Sequence, residues 1–390
     1  MGVNFLECFW VALKLGLTSF GGPVAHLAYF REEYVIKRKW VNEERFAELI
    51  AVCQFLPGPA SSQLGAAVGY ERAGWLGGFF AWLGFTLPSA LLMTALAVGL
   101  SSVEELVGNG WVHGLKVAAV AVVAVAIFGM KRKLCPTWPK KGVAVAALLV
   151  LMVVEQAWMQ PLVILGGCVV GAIWFSKYAR KTERLENARK PYLAIGTILV
   201  MVMVLVLLPY FIGDSEGGKA FAGIVRSGAL VFGGGHVVLP LLEAEMVSTG
   251  YMARDTFLAG YGAAQAVPGP MFSLGAYLGG VLSLGGNPWL GGVLGTLAIF
   301  GPGLILLSAG LPLWNRIKHI PRAQGAVVGA NAVVVGLLGA ALLHMIMGGV
   351  LHGWVDYLLA VVYFVIIGTR KLPIWLVIVI AAVLGGVIWG

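Results

Sequence analysis

The sequence predicts an all-α polytopic membrane protein made of two inverted-topology repeats with broken or re-entrant helices. Three observations lead there. Of 390 residues, 59% are hydrophobic and only 12% charged, where a soluble domain carries roughly a quarter charged. Apolar stretches between charge clusters reach about 20 residues, the length that crosses a hydrocarbon core about 30 Å thick. Finally, 55 glycines and 17 prolines are scattered through those stretches, as in closely packed, interrupted helices. A water-soluble fold, a disordered repeat and a secreted disulfide scaffold are excluded. Cys8, Cys53, Cys135 and Cys168 stand far apart, without a CxxC pair or a metal-ligand spacing, and are expected to be buried and reduced. The first ten residues contain Glu7 and no basic residue, so they are not expected to act as a secretory signal.

A net charge of +9 would suit nucleic acid, but the 27 Lys and Arg residues sit in short loops between apolar segments. The clusters are Arg31 to Arg45, Lys131 to Lys141, Lys177 to Lys190, Arg316 to Arg322, and Arg370 with Lys371. This is the pattern of positively charged loops held on the cytoplasmic side of a bilayer. It predicts a multi-pass membrane protein with its N-terminus inside, its C-terminus outside and no nucleic-acid partner.

The chain repeats itself. Lys14 to Gly22 reads KLGLTSFGG and Arg226 to Gly234 reads RSGALVFGG, at an offset of 212. Gln54 to Pro59 reads QFLPGP and Gln265 to Pro270 reads QAVPGP, at an offset of 211. Ser62 then matches Ser273, Gly69 matches Gly280, and Pro88 matches Pro302 at a slightly larger offset. The expected organisation is an N-terminal repeat over 1–178, a charged loop plus linking transmembrane helix over 179–219, and a C-terminal repeat over 220–390. Six apolar segments per half and one linking segment near 192–212 make about thirteen, an odd linker that turns the second half upside down.

Two versions of the topology are open. The segment before FGG is about 14 residues long, and PGP breaks the next into pieces of about 11, neither long enough to span alone. Either every segment spans, or the FGG and PGP breaks are tips of hairpins that enter and leave on one side. The hairpin version leaves only Lys219 and Arg254 on the outer face, which suits the charge rule better.

The breaks carry the chemistry. Two prolines around a glycine, Pro57, Gly58 and Pro59 in one half and Pro268, Gly269 and Pro270 in the other, stop a helix and restart it. Ser61, Ser62 and Ser273 then fall in the first turn of a half-helix, whose free N–H groups and positive dipole end suit an anion. Gly21 and Gly22, with Gly233 and Gly234, expose further backbone, tolerable only where it lines a cavity or is buried in protein. Lys14 and Arg226 are repeat mates inside apolar segments, where a central cation costs about 2.5 to 3.5 kcal/mol, and a bound anion would compensate both. His26 and His236 follow the two FG pairs and suit oxyanion donation or a coupling proton. Gln54 and Gln265 superpose and could donate amide hydrogens to an anion or to the broken backbone. Lys116 is a third intramembrane cation, but Val327 is its repeat mate. Few acids are expected at depth, namely Glu7, Glu48 and Glu243, which disfavours a cation pathway. His113, His319, His344 and His352 lie in or near loops and receive no role. No catalytic constellation, metal motif or cofactor motif appears, so neither an enzyme nor a cofactor is expected.

The strings FGGPVAH (Phe20 to His26), FLPGPASSQ (Phe55 to Gln63), FGGGHVVLPLLEAE (Phe232 to Glu245) and AVPGP (Ala266 to Pro270) resemble the signature segments of the chromate ion transporter family in its two-domain, long-chain form. The resemblance runs over essentially the whole chain. It implies a carrier of the cytoplasmic (inner) membrane that moves chromate out of the cell and confers chromate resistance, with sulfate as the usual competitor; a homodimer is compatible with it. The second half departs in having Gly235 for Pro23 and MFS for ASSQ, so the two half-helices are not expected to bind an anion equally.

Overall fold

The computed structural model describes residues 5–20, 22–107, 110–154, 159–178, 215–232, 237–317, 319–369 and 371–390, with isolated residues between 196 and 208. The expected linking segment near 192–212 lies largely outside the described residues, as do Gly21, Gly233, Gly234 and His236. Among the described residues the chain is helical throughout, with no strand.

In the first half, α1 (Phe5–Thr18) is followed by α2 (Gly22–Phe30), which continues through a π-helical turn, Arg31–Lys37. Helix α3 (Glu43–Phe55) starts where the Asn42 side chain accepts a hydrogen bond from the Arg45 N–H, and it ends before the first PGP. Helices α4 (Ala60–Val107), α5 (Gly110–Leu134), α6 (Trp138–Val153) and α7 (Met159–Val170) complete the half. The second half contains α8 (Glu216–Leu230), α9 (Val238–Met246), α10 (Arg254–Ala266), α11 (Leu274–Val281) and α12 (Pro288–Ile317). It ends with α13 (Pro321–Met347), α14 (Trp354–Thr369) and α15 (Ile374–Trp389). The segments Ala60–Gly99, Gly110–Leu134, Pro288–Trp314 and Pro321–Met347 are long and apolar enough to cross a membrane.

Ion pairs decide between the two topologies. Arg45 at the start of α3 bonds Glu71, 26 residues on, at 3.2 Å; an unbroken helical path of that length would part them by about 40 Å. The PGP break is therefore the tip of a hairpin. Arg38 likewise reaches back to Glu7 on α1 at 3.2 Å, which makes the FGG break a second hairpin tip. In the other half, the Tyr277 hydroxyl on α11 donates to the Thr256 carbonyl on α10 at 2.9 Å, closing the equivalent PGP hairpin. Each half-helix then reverses again. Ala73 and Gly74 leave helical geometry inside α4, so Gly69 folds back against Gly77. Gly275 on α11 similarly faces the Gly295 carbonyl of α12, which a Cβ would approach to 2.7 Å.

The halves also exchange partners. Gly110 and Gly114 of α5 lie against Gly385 and Ala381 of α15, while Gly325 and Gly329 of α13 lie against Gly171 and Gly167 at the end of α7. The long helix of each half thus packs on the last hairpin of the other. In lipid, where the hydrophobic effect does not pull helices together, small residues permit the close backbone approach that does. Cys8, Cys53 and Cys135 are buried and Cys168 is half-buried, all as free thiols.

Candidate functional site at the hairpin tips

The breaks of the two halves meet crosswise. The Gly58 N–H of the first PGP donates to the Val231 carbonyl, just before the second FGG, at 2.7 Å. The Gly269 N–H of the second PGP donates to the Ser19 carbonyl, just before the first FGG, at 2.9 Å. Ser19 and Val231 are repeat mates, as are Gly58 and Gly269, so one contact is the other with the halves exchanged. Positive φ values of +127° at Gly58 and +97° at Gly269 let each N–H turn toward its partner, a conformation that side chains disfavour. The flanking Leu56 and Val267 are extended, as the residue before proline prefers.

Around these contacts lie buried polar atoms without a hydrogen-bond partner among the described residues. They include the hydroxyls of Ser19, Ser62, Ser227, Ser273 and Thr86, and both ring nitrogens of His26. Ser62 and Ser273 each follow a PGP glycine by four residues, and Ser227 precedes Val231 by four. His26 is packed between the rings of Phe30 and Phe85, at 6.3 and 5.3 Å between centroids. An unsatisfied buried polar group costs about 1–3 kcal/mol, so several of them within a turn or so of the crossed contacts suit a polar ligand.

Gln63, not Gln54, bonds the first break. Its Nε2 donates to the Pro57 carbonyl at 3.0 Å and to the Gly303 carbonyl, beside Pro302 of the other half, at 2.8 Å. Gln54 is exposed instead. Gln265 turns its amide to the Met271 sulfur. The second half-helix opens with a buried 3₁₀ turn, Met271–Ser273, in which bulky Met271 and Phe272 precede the serine. The first opens at Ala60, with buried Ser61 and Ser62 next.

Lys14 and Arg226 each meet a carboxylate of the chain itself. The Arg226 fork donates to both oxygens of Glu245, at 2.9 and 2.6 Å. Lys14 lies 3.7 Å from Glu33, with its own side chain 63% exposed. Glu33 and Glu245 both stand 19 residues after their cation and are themselves repeat mates, so the pair is duplicated with the module. Buried acids are more numerous than expected: Glu33, Glu243, Glu245 and Asp356. Arg254 bonds Glu243 at 2.9 Å, and Lys116 lies 3.0 Å from Asp255. Each acid sits in a stretch too short to be conspicuous alone, but the shared offset of Lys14 with Glu33 and Arg226 with Glu245 was present in the repeat alignment.

A cavity of about 810 Å³ opens beside the Arg254–Glu243 pair, lined also by Ser248, Thr249 and Gln160. It includes none of the residues nominated from the sequence. Elsewhere His113, His352 and Asp356 gather at one end of the bundle.

The chromate transporter family profile matches residues 6–172 and again 218–386. A probable chromate transport protein of Synechococcus elongatus is 27% identical over 97% of this chain and 94% of its own length. The chromate transport protein of Pseudomonas aeruginosa is 28% identical over 88% of this chain and 81% of its own. An uncharacterised transporter of Methanocaldococcus jannaschii is 25% identical over 97% and 93% respectively. No solved structure matches. With the profile matching once in each half and together covering most of its length, this chain belongs to the chromate transporter family.

Proposed function

We propose that this protein is a secondary transporter exporting chromate, and sulfate-like tetrahedral oxyanions, across the cytoplasmic membrane, so that cells carrying it resist chromate. The observation that carries the reading is the crossed pairing of Gly58 with Val231 and of Gly269 with Ser19, together with the unpartnered buried polar atoms of Ser19, Ser62, Ser227, Ser273 and His26. A tetrahedral dianion needs several convergent donors. Hydroxyls and half-helix N–H groups supply them, with the positive end of the α4 dipole alongside. The first half-helix, with Ser61 and Ser62, is the better donor; in the second, Met271 and Phe272 leave Ser273 as the hydroxyl. Arg226 and Lys14 exchange Glu245 and Glu33 for substrate oxygens as the anion arrives, which couples binding to movement of the FGG hairpins.

Direction follows from electrostatics. With the cell interior negative, an outgoing dianion gains roughly 4 to 5 kcal/mol per 100 mV, from about 2.3 per charge. Export therefore needs no ATP. The repeats, upside down relative to each other, rock about the shared site. Placing the basic hairpin Arg31 to Arg45 inside puts the N-terminus in the cytoplasm and the C-terminus outside, and a cysteine replacing Lys37 is then labelled only from the cytoplasmic face.

The test is flux in reconstituted liposomes under an imposed potential, with labelled chromate and labelled sulfate measured separately. Potential-driven, saturable chromate movement that falls in both Lys14→Ala and Arg226→Ala is expected. Unchanged flux in both variants would overturn the site assignment, and sulfate movement without chromate movement would overturn the substrate.

A further inference from the structure

We propose that His113, His352 and Asp356 bind a divalent transition-metal ion of the zinc class, clamping the first half of the protein to the second. His113 is on the first turn of α5; His352 and Asp356 lie in the α13–α14 turn and the start of α14. The candidate ligand atoms all fall within 4.8 Å of one another. His113 Nε2 is 3.0 Å from Asp356 Oδ2, and the His352 backbone N–H donates to that same oxygen at 2.7 Å. The turn is thereby fixed with the His352 imidazole beside the other two groups. Trp389, at the end of α15, packs edge-on against the His113 ring with centroids 4.4 Å apart and restricts its rotation.

The donor set selects the metal. Two imidazoles and one carboxylate suit zinc and its neighbours, whereas magnesium and calcium prefer oxygen throughout. Three protein ligands leave one tetrahedral position for water. A cavity of about 550 Å³, lined by His113, Lys116, His352 and Asp356, opens at the site, and His352 is exposed, so an ion has a way in. Lys116 shares that cavity, but its ammonium lies 3.0 Å from Asp255, which balances it and leaves the Asp356 charge for the ion.

Repeat symmetry argues against a purely structural role. At the exchanged end of the molecule, the fourth residue of α13 is Gln324 where α5 has His113. The third residue of α6 is Lys140 where α14 has Asp356. The same helix junction is thus built there without ligand residues, so the scaffold does not require them.

The experiment uses tag-free, full-length protein in detergent, stripped with chelator, then titrated with Zn²⁺ by calorimetry and with Co²⁺ by visible absorption. Wild type takes up a single ion per chain, shows Co²⁺ ligand-field bands and unfolds at higher temperature with Zn²⁺. His352→Ala, at an exposed turn, weakens binding at least ~10-fold and removes the thermal shift; His113→Gln does the same. Asp356→Asn is a poor probe, because Asp356 also holds the turn. Absence of saturable uptake by wild type, or equal uptake by wild type, His352→Ala and His113→Gln, overturns the proposal. None of these readouts depends on transport.

Discussion

Replacing Gly58 with alanine tests whether the crossed tips hold the protein in its working arrangement. Gly58 has φ +127°, and a Cβ there would lie 2.8 Å from Gly303 Cα and 2.6 Å from Gln63 Nε2. The backbone strain costs about 1–3 kcal/mol, and crowding a packed site costs a further 1–3 or so, about 2–6 kcal/mol in all. The neighbour cannot yield cheaply, because it is backbone of the opposite half. Gly74 supplies the control: its φ is +64° with nothing within 4 Å of a Cβ, so alanine there costs only the strain, about 1–3 kcal/mol. Thermal unfolding in detergent and chromate flux in liposomes measure both. Gly58→Ala should unfold at a distinctly lower temperature and lose flux, whereas Gly74→Ala should lose some stability and keep flux. Equal behaviour of the two variants, or wild-type flux in Gly58→Ala, would refute the reasoning.

Arg226→Met strands the buried Glu245 carboxylate and should cost about 1–3 kcal/mol after allowance for the exposed part of the guanidinium. Lys14→Met, whose side chain is 63% exposed and lies 3.7 Å from Glu33, should change stability by less than about 1 kcal/mol; chemical denaturation compares them, and equal losses would contradict the geometry. Gly329→Val drives a side chain into the Gly167 carbonyl and should abolish the monodisperse peak on gel filtration, while Gly166→Val, with open space at its Cβ, should preserve it. Cys135 is 1% exposed, and burial pushes its thiol above the ordinary range despite Lys140 and Lys141 nearby. Since only the thiolate reacts, maleimide at neutral pH should label Cys135 after denaturation and not before.

Much of this molecule is legible in one chain. The apolar composition leaves an α-helical membrane protein as the available class, because backbone groups in lipid must be satisfied within each segment. The duplicated FGG and PGP strings mark the two halves, since a proline pair around glycine cannot continue a helix. Lys14 and Arg226 stand out because isolated cations in apolar runs are costly. What their charges meet was not apparent. Glu33 sits in a basic, loop-like stretch and Glu245 at the end of a nine-residue helix, and neither reads as an intramembrane partner by itself. Repetition points to Gln54, which has a glutamine repeat mate in Gln265, and away from Gln63, whose mate is Leu274.

Composition, periodicity and repetition thus determined the class, the duplication and the sites of the breaks, all of which depend on residues near one another along the chain. The tertiary structure alone decided that both breaks of the first half are hairpin tips, through Arg45 meeting Glu71 and Arg38 meeting Glu7. It alone showed that Gly58 and Gly269 reach across to the opposite half, and that His113 gathers with His352 and Asp356. Those pairings join residues far apart in sequence. Local propensity is the same whether a broken helix passes through or turns back, and only packing between distant segments separates the two.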